Sequence, residues 1–529
     1  MTWKVIREAK RRLERERGTI VKDWGGKIPI ALIYPNSYYL GMSSLGFQTI
    51  YKCLNNYENV VCERVFWEPK KASTEEPIAL ESQRPLSDFD ILAFSIYYEL
   101  DYFNVVRILH SCNIPLLSAE RDESHPLILA GGPCITANPQ PLSLFFDGFA
   151  IGEAEAILPE LIHVLPELIE SKRDNALYKL TSINGIYVPA LYNNTPVKRQ
   201  WLADLDSVAT TSTILTPDTD LSDMFVIEIA RGCVWGCRFC LAGFCFRPFR
   251  HRSKDNLLRQ AKEGLKYGKR IGLLASAVSD HPEIDELSME LTEIGAELSV
   301  SSLRIHPLSD ILLRELARSG SQGVTLAPEA GSERLRRVIK KGINEDDIIK
   351  ATEHAIEQGL KQIKLYFMIG LPTETDDDIE EMVELTLKIK SRIERSGGRL
   401  ALTIAPFVPK AHTPFQCLPM ADEEILNRRV MRLRNALTKQ GIEIRTDSVS
   451  WSLVQGVLAR GDARLAQPLA HMSRPSLKSW HQALNKFDLS ADDYVYHTFS
   501  SKDILPWSII DCGITRDYLQ GELDKALKG

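Results

Sequence analysis

The sequence has no long hydrophobic run. None of its 529 residues lies in a stretch approaching roughly 18 uninterrupted apolar positions, the length a membrane-spanning helix needs. The N-terminus, MTWKVIREAKRRLERERG, has no apolar centre and so no secretory-signal pattern. Net charge is small. The 64 Lys and Arg against 70 Asp and Glu leave −6, which gives no whole-chain footprint for nucleic acid. No nucleic-acid-binding module, long repeat or low-complexity tract is evident. Cysteine is sparse, ten in all, which argues against a disulfide framework. Seven are scattered and three crowd together, a distribution that suits a reducing cytoplasm and one metal site. The rest, 44% hydrophobic and 25% charged, is ordinary for a globular chain of about three domains.

Residues 1–27 read as a charged helix with an entry turn. IPIALIY (28–34), VVCERVF (60–66), ILAFSIY (91–97), LILAGG (127–132) and the weaker FDGFAIG (146–152) are short apolar runs between helical patterns. Such runs predict an α/β fold with a doubly wound parallel sheet over 28–170. Residues 171–222 read as a linker with a β-hairpin at GIYVPALYNN. From 223 to 419 six further strand candidates alternate with amphipathic stretches. They are MFVIEIA, RIGLLAS, ELSVSSLRI, GVTLA, IKLYFMIG and LALTIAPF. Six βα units predict a partial (β/α)6 barrel, with functional groups at the C-terminal ends of its strands. Residues 420–529 read as a mostly helical C-terminal region with a strand-like start near 442.

The most specific segment is IEIARGCVWGCRFCLAG (227–243), which places Cys233, Cys237 and Cys240 just after the first barrel strand. Thiolates are soft ligands for iron–sulfur clusters or zinc. Gly232 and Gly236 let the backbone wrap so that sulfurs converge. Three cysteines leave one iron of a four-iron cubane without a local protein ligand. A zinc knuckle would need a fourth ligand, for which Cys245 is the nearest candidate.

Cys-x3-Cys-x2-Cys, with aromatic Phe239 before the last Cys, resembles the radical S-adenosylmethionine (SAM) family. The resemblance implies a [4Fe-4S] cluster on the three cysteines and SAM chelated at the open iron. It also implies reductive cleavage to methionine and a 5′-deoxyadenosyl radical. A flavodoxin- or ferredoxin-type donor would supply the electron. No catalytic residue beyond the cluster ligands is assigned. Other strand ends supply SAM-binding candidates. Ser276, Ser279 and Asp280 occupy the position of a polar family segment, though the Gly-Gly-Glu form is missing and a plain helix cap is the other reading. Arg304 would meet the SAM carboxylate or pair with an acid. Glu329, Gly331 and Ser332 are similar to the family's E-x-G-S segment, and the acid is otherwise a helix N-terminal charge. Gly370, in FMIGLPTETDDD, allows close backbone approach beside adenine. Lys410 and His412 sit in a Pro-rich loop after the sixth strand.

The segment 28–170 looks like the Rossmann-like cobalamin-binding domain of cobalamin-type radical SAM proteins, and the resemblance as a whole covers about 28–415. Its strand ends and loops offer Asn36, Gly41, Ser95, Gly131, Gly132, Gly152 and Glu153 as cobalamin contacts. The motif D-x-H-x-x-G, which supplies a cobalt-ligating histidine, is missing. The implied chemistry is methyl transfer from methylcobalamin to an unactivated carbon. Two rivals fit the same residues. One is a cobalamin-independent enzyme akin to tRNA or ribosomal-protein methylthiotransferases, with Cys53, Cys62, Cys112 and Cys134 as the cysteines available for a second cluster. The other is a corrinoid or redox sensor without catalysis.

Overall fold

The computed structural model describes residues 3–68, 76–472, 474–500 and 502–528. The first sheet orders its strands as Val60–Phe66, Ile28–Tyr34, Ile91–Ser95, Leu127–Gly131, Gly148–Ala150 and Ile186–Tyr187. All neighbours are parallel except the last pair. The order reverses between Ile28–Tyr34 and Ile91–Ser95, which creates a topological switch point at their carboxyl ends. The strands are apolar on both faces because both are covered. Ile30, Leu32, Leu127 and Leu129 pack with Phe47, Tyr51, Ile157 and Leu165 on one side. Ala31, Ile33, Phe94 and Ile128 face the other side, which also takes Val454, Val457, Leu469 and Trp480 from the C-terminal region.

The expected hairpin does not form. Ile186–Tyr187 closes the first sheet antiparallel to Gly148–Ala150, whereas Val197–Lys198 pairs in parallel with Ile510–Asp511. Pro189 and Pro196 lie between the two segments and cannot donate to a ladder. Each two-residue strand therefore takes a partner elsewhere.

The second sheet comes in two parallel parts. Glu297–Val300, Arg270–Leu274 and Phe225–Glu228 form three strands, and Gly323–Glu329, Gln362–Ile369, Arg399–Pro406 and Glu443–Thr446 form four. A parallel bridge between Leu303 and Leu326 joins the parts. Glu443–Thr446 thus adds a strand beyond the six expected. The central strand Gln362–Ile369 shows how the sheet is used. Ile363, Leu365, Phe367 and Ile369 are buried in the helix-covered core. Lys364, Tyr366 and Met368 alternate with them and stay partly accessible on the opposite, inner face. Among the described residues no helix is long and apolar enough to cross a membrane.

Candidate functional site

The three-cysteine loop leaves the carboxyl end of Phe225–Glu228. Gly232 and Gly236 take left-handed φ values of 78° and 64°. A Cβ on Gly232 would come within 2.7 Å of the Phe246 carbonyl oxygen and 2.8 Å of that of Pro248. Only glycine permits this fold-back. The cysteines are free thiols. Burial pushes the Cys240 thiol up to about 11, partly offset by the backbone N–H groups of Ala242 and Gly243. Burial also raises Cys237, against the nearby Lys341 ammonium. Such thiols become anionic ligands only by binding a strong Lewis acid. Among the described residues no three His, Cys, Asp or Glu side chains surround a single-ion site. Cys245 is fully buried with its Sγ 3.6 Å from that of Cys512, away from the zinc-ligand role. A multi-iron cluster, which takes each thiolate on a different iron, fits this donor set better than one zinc ion.

Several sequence candidates gather beside these thiols. The Arg304 guanidinium lies 3.6 Å over the Trp235 ring, between Cys233 and Cys237 in sequence. Trp235 Nε1 donates to Asp280 Oδ2 at 2.9 Å, and Arg304 Nε is 3.8 Å from Asp280 Oδ1. Ser279 Oγ accepts the Arg304 backbone N–H at 2.9 Å. Burial raises Asp280 and lowers Arg304, and each partly holds the other charged. Glu329 has a φ of 69°, at a register shift in its strand pairing. Lys341 Nζ reaches its Oε1 at 3.1 Å. Burial disfavours the Lys341 charge, yet Glu329 and Cys237 raise its pKa overall. Trp235 and Lys341 were missed in the sequence. The first sits inside the cysteine motif as an apparent spacer, and the second is hidden in the run RRVIKK.

Other candidates are engaged structurally. Ser332 is fully buried, capping its helix at Leu335 N and donating to Asp378. Gly370 N donates at 2.6 Å to Glu374 Oε2, which also takes Arg429 Nη1 at 2.6 Å. Burial pushes Glu374 up to about 7 despite Arg429, and its Oε1 has no partner. Phe239 packs against the group of Ala330, Leu335, Phe407 and Leu523. Lys410 pairs with buried Glu99, and His412 Nε2 contacts the Ala137 carbonyl at 3.1 Å. Both tie the loop after Arg399–Pro406 to the first sheet's elements. Cys53, Cys62, Cys112 and Cys134 lie on a helix, a strand, a helix end and another helix.

A mostly apolar cavity of about 550 Å³ opens at the carboxyl ends of the first sheet. Ser95, Gly131, Gly132, Gly152 and Glu153 line it, and so do Gly232 of the cysteine loop and Ser276 after Arg270–Leu274. Asn36 and Gly41 do not. Asn36 Nδ2 instead donates to Asp101 Oδ1 at 2.6 Å, and Gly41 packs at Phe66 and Tyr34. Asp101 is pushed up to about 7 by burial, against its hydrogen bonds from Asn36 and Asn104. Ser95 Oγ is buried with no protein hydrogen-bond partner. The Tyr97 hydroxyl lies beside it, so the otherwise apolar wall carries a small polar spot suited to a bound group with polar atoms. Among the described residues that line the cavity there is no histidine.

An ion-pair hub spans cavity and loop. Arg231 pairs with Glu153 at 2.9 Å, with Glu228 at 2.9 Å and with Glu155. Glu153 also takes Arg250 at 2.7 Å and Arg199 at 3.7 Å. Glu153 therefore serves first as a clamp between the two halves.

Three free thiols on a glycine-shaped loop at a strand end form a soft donor set for an iron–sulfur cluster, with an ion-paired arginine and lysine beside it. The model of the radical SAM superfamily matches residues 227–386, and that of radical SAM proteins' N-terminal region matches 46–189. The uncharacterized protein MJ0966 of Methanocaldococcus jannaschii is 34% identical over 473 residues, covering 88% of this chain and 95% of that one. The chain belongs to the radical SAM superfamily, as an enzyme that uses a [4Fe-4S] cluster and SAM. The tRNA-2-methylthio-N(6)-dimethylallyladenosine synthase of Cellvibrio japonicus is 24% identical over 348 residues, covering 61% of this chain and 67% of that one. The fold is shared with the radical SAM methyltransferase TsrM of Kitasatospora setae, solved with cobalamin and a [4Fe-4S] cluster. That match has TM-score 0.50 and 12% identity, covering 95% of this chain and 99% of that chain.

Proposed function

We propose that this enzyme binds cobalamin in the cavity of the first sheet and is a methyltransferase acting on an unactivated carbon. The observation that carries the reading is continuity. One cavity is lined both by the carboxyl ends of the first sheet's strands and by Gly232 of the cysteine loop. When bound, the cluster and SAM supply a carbon radical on the substrate, and cobalamin supplies a transferable methyl group.

The chain's own residues provide the setting. Cys233, Cys237 and Cys240 hold the cluster. Arg304, fixed by Trp235 and Asp280, offers a cation to the SAM carboxylate. Glu329, held by Lys341, offers an acceptor to a SAM donor group, and Ser276 reaches the same region from the cavity side. The inner face of the second sheet, with Lys364 and Tyr366, gives the substrate polar contacts. Gly131, Gly132 and Gly152 admit a ligand close to the backbone, and Ser95 gives it one hydroxyl. A reduced flavodoxin- or ferredoxin-type protein in a reducing cytoplasm supplies electrons.

The experiment is anaerobic purification from cobalamin-supplied cells, then cyanide extraction and absorbance spectroscopy. A dicyanocobalamin signal near one equivalent supports the reading. The variant Ala150→Trp, which fills the cavity, should lose that signal and keep its iron. A cluster spectrum with no corrinoid would sink methyl transfer and leave cobalamin-independent radical chemistry.

A further inference from the structure

The Arg238 end of the cysteine loop is itself buried, and two helices that reach the protein surface cover it. Arg238 lies between Cys237 and Cys240. Its backbone N–H donates to the Ile339 carbonyl at 3.0 Å. Its guanidinium donates to the carbonyls of Arg337 at 3.2 Å and Val338 at 2.7 Å, closing the end of the helix Glu333–Val338. From the other side comes the helix Arg516–Leu527, whose Glu522 lies 3.3 Å from both Arg238 and Lys340 and 2.8 Å from Lys525.

The charges in this region are sorted by depth. Side-chain exposure is 41% for Arg334, 61% for Arg337, 43% for Lys340 and 68% for Lys525. Lys528 is exposed as well. Two of their acidic partners are buried beneath them, Asp378 at 3% and Glu522 at 5%. The exposed acids of these two helices are Glu333, Asp517 and Asp524, against six partly or fully exposed cations, Arg334, Arg337, Lys340, Arg516, Lys525 and Lys528. The cations point outward; the carboxylates beneath Arg334, Lys340 and Lys525 are buried, while Glu333, the partner of Arg337, is exposed with it. The surface over the cysteine loop is therefore positive although the whole chain carries −6.

We propose that this face, formed by the ends of Glu333–Val338 and Arg516–Leu527, docks an acidic one-electron carrier protein bearing a flavin or iron–sulfur centre. The inference rests on the electron-donor reading above. The carrier loses one electron and the cluster gains it, with no bond made or broken. Gly232, at the start of the loop, lines the cavity where ligands have to be held, so a protein carrier approaches from here. Opposite charge steers such an encounter and raises its rate, an effect that salt screens.

The test uses the full chain with its cluster loaded and two reductants, reduced flavodoxin and dithionite, with cluster bleaching followed by stopped flow. The variant pairs Arg337→Glu with Lys528→Glu and leaves Lys525 and Glu522 intact. At low salt, flavodoxin should reduce the variant roughly tenfold more slowly than the wild type, and wild-type reduction should slow as salt rises. Dithionite, being small, should reduce both at the same rate. A variant reduced by flavodoxin at the wild-type rate, or a salt-independent wild type, overturns the proposal. A wild-type cluster that dithionite fails to bleach would instead sink the cluster reading. Should the double reversal load too little iron, Arg337→Gln with Lys528→Gln carries the same comparison, and equal rates there overturn it equally.

Discussion

Replacing Arg231 with Met tests whether the ion-pair hub joins the two sheets. Arg231 meets three carboxylates, but their fates on its removal differ. Glu153 keeps Arg250 at 2.7 Å, and Glu228 keeps Arg252 at 3.2 Å. Glu155, with its side chain 7% exposed, has Arg231 as its ion-pair partner. Stranding one such carboxylate costs about 3–5 kcal/mol. For a domain of this size that corresponds to a fall of roughly 10 °C in the first thermal transition. Glu155→Gln in the Arg231→Met background removes the stranded charge and should recover about half the loss. The assay is differential scanning calorimetry of the two single variants, the double variant and the wild type, closed as a double-mutant cycle. Two results would refute the reasoning: Arg231→Met melting with the wild type, or Glu155→Gln lowering its stability further.

Three other outcomes are expected. Converting Cys233, Cys237 and Cys240 together to Ala should abolish the broad iron–sulfur absorbance and all 5′-deoxyadenosine formation, and residual SAM cleavage would refute the cluster assignment. Gly232→Ala must place a side chain at a φ of 78° against two carbonyl oxygens. It should cost the loop about 1–2 kcal/mol or more and lower the iron retained per chain, read by colorimetric iron assay. Glu374 is raised from 4.5 to about 7, so the folded chain holds its proton more tightly than the unfolded chain. Its contribution is therefore most favourable below about 4.5 and is lost as pH rises through about 7. Glu374→Gln keeps an acceptor for Gly370 N, so its melting temperature should match the wild type near pH 4 and exceed it near pH 8.5. Parallel melting curves across that range would contradict the burial argument.

The sequence carried the strands well because each buried run is short, β-rich and bounded by turn residues. The cysteine loop was legible because three soft ligands at fixed spacing have few other uses. Where the reading failed, the deciding contact was distant in sequence. GIYVPALYNN carries turn chemistry, but its strand partners are Gly148–Ala150 and, for Val197–Lys198, a segment near the C-terminus. The strand-like start near 442 is a strand, Glu443–Thr446, but its partner Arg399–Pro406 makes it part of the second sheet, not of the C-terminal region as the sequence suggests. Asn36 and Ser332 have side chains suited to ligands, but Asp101 and Asp378, both distant in sequence, engage them, and Ser332 also caps its helix. Trp235 and Lys341 show the reverse: only the fold brings them to Arg304 and Glu329.

One face of the first sheet is completed by residues far along the chain. Trp480 sits edge-on to Phe103 with ring centres 5.5 Å apart, and Asn138 donates to the carbonyls of Ala459 and Gly461 at 3.1 and 2.8 Å. During synthesis the strand Leu127–Gly131 leaves the ribosome about 350 residues before Trp480, a gap of roughly 20–70 s at about 5–20 residues per second. Throughout that interval Phe103 and the helix Tyr102–Ser111 that carries it lack the cover that Trp480 and the helix Ala466–His471 later give them. The nascent first sheet is thus a natural client for a chaperone that shields apolar surface. It reaches its final packing only when the last quarter of the chain arrives.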